Sequence, residues 1–159
     1  MKKPAKQILP TTTIRKLQKK DSRSFLHLID ALADFEKLKR PTGSARRRLL
    51  RDAFGKHRRF DAYLAFVHQR PVGYAIVFET YSSFLARPTL FLEDIFILSE
   101  YRSYGIGLTL FDYCVAEARR RRCGRMEWIV LDWNKNAIRF YERRNARRLK
   151  EWLLYRIEV

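Results

Sequence analysis

The chain has 159 residues, with 34 Lys and Arg against 17 Asp and Glu, for a formal net charge of +17. Its length suits one compact domain, and 47% hydrophobic residues suffice for an ordinary core. No apolar run approaches the ~20 residues of a membrane span, and so basic a chain attracts anions: nucleic acid, acidic surfaces or phosphorylated cofactors.

Residues 1–10 form a basic lead-in, and 11–159 are expected to form a single domain. No apolar h-region or small-residue cleavage site follows the basic start, so no signal peptide is expected. Thr11 to Leu17 alternates weakly and predicts a short strand. Asp21 or Ser22 can cap a helix, along which Phe25, Leu28, Ile29, Leu32 and Phe35 recur at helical spacing. Pro41 to Ser44 breaks the chain, and Ala45 to Phe54 predicts a second helix. Phe60 to His68 and Val72 to Tyr81 read as strands around a Gln69-Arg70-Pro71 turn, and Leu90 to Leu98 as a third.

Gly105 to Arg122 predicts a helix with Leu108, Phe111, Val115 and Ala118 on one stripe and Leu110 and Cys114 beside it. Gly124 is expected to end it as the C′ residue. Arg125 to Leu131 predicts a strand, and Asn134 or Asn136 a cap for a short helix reaching Arg144. Two last strands are expected near Arg147 to Leu149 and Leu153 to Ile157. The interleaving predicts an α/β or α+β fold, a mixed sheet of about six to seven strands flanked by about four helices.

Cys114 and Cys123, nine residues apart on that predicted helix and just past it, are too distant to bridge. Both are read as reduced thiols of a cytoplasmic protein, and their spacing matches no metal site. His27, His57 and His68 are scattered and receive no catalytic or metal role. Trp128, Trp133 and Trp152 are read as core or interface. The Arg46-Arg47-Arg48 and Arg119 to Arg122 runs are read as solvated helix faces.

The strongest local signal joins the Leu90 to Leu98 strand to the helix after it. Between them lie a polar turn, Ser99-Glu100-Tyr101, and the segment Arg102-Ser103-Tyr104-Gly105-Ile106-Gly107. Glycines at a helix start let the backbone approach an anion closely, and the helix N-terminus adds positive partial charge. Arg102 can add a charge-assisted contact. Alone, such a pair of glycines also serves an ordinary tight turn.

The order strand, Arg-x-x-Gly-x-Gly, helix resembles the acetyl-CoA signature of the Gcn5-related N-acetyltransferase (GNAT) superfamily. Phe91-Leu92-Glu93-Asp94-Ile95-Phe96-Ile97 before it and Trp133-Asn134-x-x-Ala137-x-x-Phe140-Tyr141 after it extend the resemblance. With Glu79-Thr80-Tyr81-Ser82, the chain looks most like the diamine (spermidine/spermine, thialysine) acetyltransferase branch. The resemblance implies acetyl-CoA held by Ile95, Phe96, Ile97, Arg102, Ser103, Tyr104, Gly105, Ile106, Gly107, Leu108, Asn134, Ala137 and Tyr141. Two departures stand out. Ser103 replaces a common Gly and would be strained at positive φ. Asn145 replaces the Gly expected after the last helix, where Asn is the next-best left-handed residue.

Acetyl transfer to an amine needs a neutral nucleophile, donors for the oxyanion that develops on the thioester, and a proton for the leaving sulfur. Glu93 is assigned as amine-orienting group and general base, through water. Asp94 is a second group for a cationic substrate. Both can face the substrate only if a bulge interrupts the strand, which the resemblance implies. The plain alternative is that the pair offsets neighbouring Lys and Arg. Backbone groups of Ile95 to Ile97 would polarise the thioester, and Tyr141 would be the general acid. Taken alone, Tyr141 beside Phe140 reads as a core aromatic. Glu79, Tyr81 and Glu36 are candidates to line the amine pocket.

The expected activity is acetylation of a primary amine on a small molecule: a diamine, a polyamine or a lysine-like amino acid. A charge of +17 repels polycations and favours a zwitterionic amino acid over a long polyamine. The alternatives are a macromolecular target docked on the basic surface, with nucleic acid a possible partner on charge alone, and a non-catalytic acyl-CoA- or RNA-binding module. A homodimer carries over from the resembling enzymes.

Overall fold

A computed structural model describes residues 11–159; the basic lead-in lies outside them. The described chain divides at Trp128/Ile129 into two compact units. The first holds one five-stranded sheet, in the order β1 (Thr12–Lys16), β2 (Asp61–Val67), β3 (Arg70–Ser82), β4 (Arg87–Ile97) and β5 (Arg125–Trp128). β1 to β4 pair antiparallel, and β5 joins β4 in parallel.

Helices α1 (Ser22–Glu36) and α2 (Gly43–Phe54) cover one sheet face. There Phe25 and Leu28 of α1 and Ala53 of α2 pack with Leu64, Tyr74, Ile76 and Phe96. The helical spacing seen in the sequence is the buried stripe of α1. Asp21 stands at the N-cap of α1, but its carboxylate turns back to the Gln18 N–H at 3.0 Å and to Arg15 at 2.7 and 2.9 Å. Arg15 first of all holds that carboxyl below its ordinary range. Thr42 caps α2 through the Ala45 N–H.

The opposite face is covered by α3 (Ile106–Arg120). Its buried stripe is Ile106, Leu110, Phe111, Cys114 and Ala118, whereas Leu108 is 37% exposed and outside it. Burial pushes the Cys114 thiol up to about 12, so it stays protonated and inert. Arg122, not Gly124, is the left-handed residue ending α3, at φ 56°, and the Cys123 N–H closes on the Ala118 carbonyl at 2.9 Å. Gly124 answers a different need: a Cβ there would lie 3.1 Å from Leu85 Cδ1 and 3.3 Å from Arg87 Cβ.

Gly73 of β3 is the tightest glycine. An added Cβ would stand 2.3 Å from Ile97 Cδ1 and 2.6 Å from the Phe96 carbonyl oxygen. Gly73→Ala is therefore expected to lower unfolding free energy by about 1–3 kcal/mol, measured by urea denaturation; an unchanged midpoint would show that the β3–β4 contact relaxes freely.

The second unit carries one helix, α4 (Lys135–Glu142). Asn134 caps it by accepting from the Ala137 N–H at 3.1 Å, which decides between the two candidate caps. Asn145 adopts φ 58°, the left-handed conformation expected of it, and the Ala146 N–H reaches the Tyr141 carbonyl at 3.1 Å. Neither of the last two expected strands is present among the described residues, so the sheet has five strands rather than six or seven. The alternating residues Leu153, Tyr155 and Ile157 are 75–86% exposed. Alternation alone makes no strand without a ladder of backbone partners. No helix among the described residues is long and apolar enough to cross a membrane.

Candidate functional site

β4 carries the acidic pair, and its register decides where each member points. From Arg87 to Leu92 it pairs in step with β3, Leu92 lying opposite Val77; the next pair is Asp94 with Ile76. Glu93 is thus an extra residue without a partner, a β-bulge. Side chains alternate along a strand, so one inserted residue sends those beyond it to the other face. Leu92 shares the face of Val77, towards α3. Asp94 shares the face of Ile76 and Tyr74, towards α1.

On that face the Tyr74 hydroxyl donates to Asp94 Oδ2 at 3.1 Å. Burial pushes the Asp94 carboxyl up to about 6; the Tyr74 hydrogen bond works against the rise, and nearby Glu93 and Glu36 add to it. Glu36, the last residue of α1, is itself raised by burial. Among the described residues no cation pairs with Glu36, Glu93 or Asp94, in a chain whose net charge is +17. Glu36 and Asp94 are half-buried and Glu93 is exposed; half-buried carboxylates without a partner are costly unless a cation arrives from outside.

Glu79 and Tyr81 lie elsewhere. Glu79 pairs with Leu90 on the α3 face and accepts from Arg121 Nη1 at 3.3 Å. Tyr81, also on that face, is 68% exposed. The structure therefore brings Glu36, Glu93 and Asp94 together and leaves Glu79 and Tyr81 apart from them. Tyr74 escaped the sequence analysis, since a tyrosine in an apolar strand looks like any core aromatic.

The loop before α3 has the backbone its glycines require. Ser103 stands at φ 68° and Gly105 at φ 77°. The Ser is held in a left-handed conformation that costs an L-residue about 1–2 kcal/mol. No side chain caps α3, and a Cβ on Gly105 would meet nothing within 4 Å. The first N–H groups of the helix thus lack a side-chain acceptor beside open space, a setting suited to an anion. A Cβ on Gly107 would make only ordinary contact with Ile97 Cγ1 at 3.6 Å. Ile106 is buried in the core, Tyr104 half-buried and Leu108 exposed.

Arg102 is exposed but lies back against the protein. Its Nε donates to the Ile97 carbonyl at 2.9 Å, and its guanidinium lies 4.6 Å from the Phe35 ring centroid and 5.3 Å from that of Phe96. It ties the loop to β4 and to the end of α1, beside Glu36, so its principal contacts are to protein. β5 pairs with β4 only from Thr89 to Leu92. Among the described residues, Ile95, Phe96 and Ile97 therefore have a strand partner on the β3 side alone, and their other edge is not covered by β5.

In the second unit, α4 carries Ala137 and Tyr141 and is capped by Asn134. The Asn134 side chain is engaged in capping, and the Tyr141 ring lies edge-on to Phe140 at 5.2 Å.

A bulged acidic strand, a stretch of β4 edge not paired with β5 and a helix start without a side-chain cap thus lie in the first unit. The model of the Acetyltransferase (GNAT) family matches residues 25–146. The chain belongs to this family and is an acyltransferase. It is 31% identical over 161 aligned residues to the thialysine N-epsilon-acetyltransferase of Mus musculus, covering 94% of each chain. It is 45% identical over 85 residues to the L-ornithine N5-acetyltransferase of Arabidopsis thaliana, a match spanning 54% of this chain and 37% of that one. Among solved structures, the ribosomal-protein-alanine N-acetyltransferase of Brucella melitensis superposes with a TM-score of 0.73 at 21% identity, over 94% of this chain and 100% of that one. An aminoglycoside acetyltransferase from an uncultured soil metagenomic sample gives 0.74 at 16%, over 92% and 97%. At these identities the structural likeness concerns the fold alone.

Proposed function

We propose that this enzyme transfers an acetyl group from acetyl-CoA to the primary amine of a small molecule, with a lysine-like amino acid favoured over a long polyamine. The observation that carries it is the cluster of Glu36, Glu93 and Asp94 without a counter-cation, close to a loop shaped for phosphate. Relatives named for thialysine and ornithine, amino acids with a side-chain amine, support the class. The basic surface attracts a carboxylate and repels a polycation, which supports the zwitterion.

The residues fit acetyl-CoA. The Ser103 to Gly107 backbone and the uncapped α3 N-terminus would hold its pyrophosphate, and the edge of Ile95 to Ile97 its amide-bearing arm. When bound, it supplies an activated acyl carbonyl. Asp94 holds the substrate ammonium and Glu93, at the bulge, takes the proton it must lose, through water. Tyr141 would supply the proton that the leaving sulfur needs, and the second proton the nitrogen gives up on becoming an amide would restore the phenol.

Purified protein with acetyl-CoA and lysine, thialysine, ornithine, putrescine, spermidine or a basic peptide tests this through release of the CoA thiol. Turnover on the amino acids, exceeding that on spermidine, is expected. Turnover on the peptide alone would transfer the site to a macromolecular target, and no turnover on any acceptor would sink the proposal.

A further inference from the structure

We propose that Tyr74 is a positioning residue for the acceptor amine: its hydroxyl fixes Asp94 as the carboxylate that holds the substrate ammonium. The inference rests on the proposed amine-acetylating activity and names the group that tunes its acceptor site.

Tyr74 is fully buried and so cannot touch the substrate. Its ring is wedged edge-on against Phe25 of α1, with centroids 5.6 Å apart, and lies 6.4 Å from Phe96. With the ring so packed, the hydroxyl donates to Asp94 Oδ2 at 3.1 Å. Asp94 reaches that hydroxyl only because the Glu93 bulge has turned it onto the Tyr74 face. No described residue makes a hydrogen bond or ion pair to Asp94 Oδ1, so one oxygen is tethered and the other remains available.

The groups facing Asp94 are Tyr74 from β3, Glu93 from its own strand and Glu36 from α1. Burial and both neighbouring carboxylates favour the protonated acid, which cannot pair with an ammonium. The Tyr74 hydroxyl is the one group of the three that favours the carboxylate. A hydrogen bond to a charged group contributes roughly 1.5–3 kcal/mol, about tenfold or more in an equilibrium constant. Its loss therefore raises the pKa of Asp94, and at neutral pH less of the protein is competent to hold the amine.

The test is the KM for the best small amine from pH 5.5 to 9 in the parent, Tyr74→Phe and Asp94→Asn. The parent is expected to show KM rising as pH falls through about 6. In Tyr74→Phe that rise should begin at higher pH, giving a KM about two- to fifteenfold larger at pH 7, recovering towards the parent value by pH 9, with kcat changed far less. Asp94→Asn should have a high KM without the acid limb. Phe preserves the ring packing, so a merely structural Tyr74 would leave the limb where it is, and that result overturns the inference. So does an acid limb that persists in Asp94→Asn, which remains decisive even if Tyr74→Phe fails to fold. Absence of turnover in the parent would instead strike the proposed function itself.

Discussion

Tyr141→Phe is expected to lower kcat for acetyl transfer by about 100-fold or more, with acetyl-CoA affinity close to that of the parent. The reason is the sulfur. A thiol with a pKa of ~8.5 leaves more readily with a proton, and a phenol at ~10 can give one and recover it within the cycle. Phe preserves what Tyr141 does for α4: the ring stays edge-on to Phe140, and the Asn134 cap and the Ala146-to-Tyr141 backbone bond are untouched. A fall in rate with an unchanged Tm would report chemistry rather than unfolding. Steady-state kinetics at saturating amine, with acetyl-CoA affinity measured separately by calorimetry, separates the two. An unchanged kcat removes Tyr141 as the acid.

The second large effect concerns stability. Arg121, just past α3, donates from Nη2 to Asp61 Oδ2 and to the Tyr63 hydroxyl, each at 2.8 Å, and to Glu117 Oε2 at 3.3 Å; its Nη1 reaches Glu79. Tyr63 passes the chain on, donating to Glu117 at 3.0 Å. The Arg121 side chain is only 14% exposed. Arg121→Ala is expected to lower unfolding free energy by about 3 kcal/mol, the low end for breaking a buried pair, because Lys16 still serves Asp61 and Arg120 still serves Glu117.

The same network sets an acid limit. Hydrogen bonds from Arg120 first, then from Tyr63, with the charges of Arg120 and Arg121, hold the Glu117 carboxyl down at about 2. Asp61 is also held low, as Lys16 and Arg121 outweigh its burial. A carboxyl lowered by folding contributes stability that is complete above its unfolded value, ~4.3 for Glu, and is lost as pH falls towards its folded one. The parent should therefore weaken between about pH 5 and 2, and Arg121→Ala should weaken less over that range. Urea denaturation at pH 7 and pH 3 checks both; a variant within about 0.5 kcal/mol of the parent at pH 7 would mean the remaining cations suffice.

Local features were legible from sequence for local reasons. The helical stripe of α1, the Asn134 cap and the left-handed Asn145 each depend on residues within a turn or two. The backbone of the loop before α3 belongs with them: Arg-x-x-Gly-x-Gly between strand and helix specified where the chain must turn, and Ser103 accepted positive φ as the loop demanded. Even the errors near helix ends were local, with Arg122 taking the left-handed place predicted for Gly124 while Gly124 accommodates Leu85 and Arg87 from the β3–β4 turn.

What the sequence determined by itself was therefore the order of elements through α4, the glycine-bearing turn before α3 and the acidic pair Glu93-Asp94. The tertiary structure alone decided which carboxylates meet. A one-residue slip against β3 turned Asp94 towards Tyr74 and Glu36, while unbroken register before it left Glu79 facing Arg121. Strand alternation makes side-chain direction depend on pairing register, and register is a property of two segments brought together, one that neither segment carries by itself.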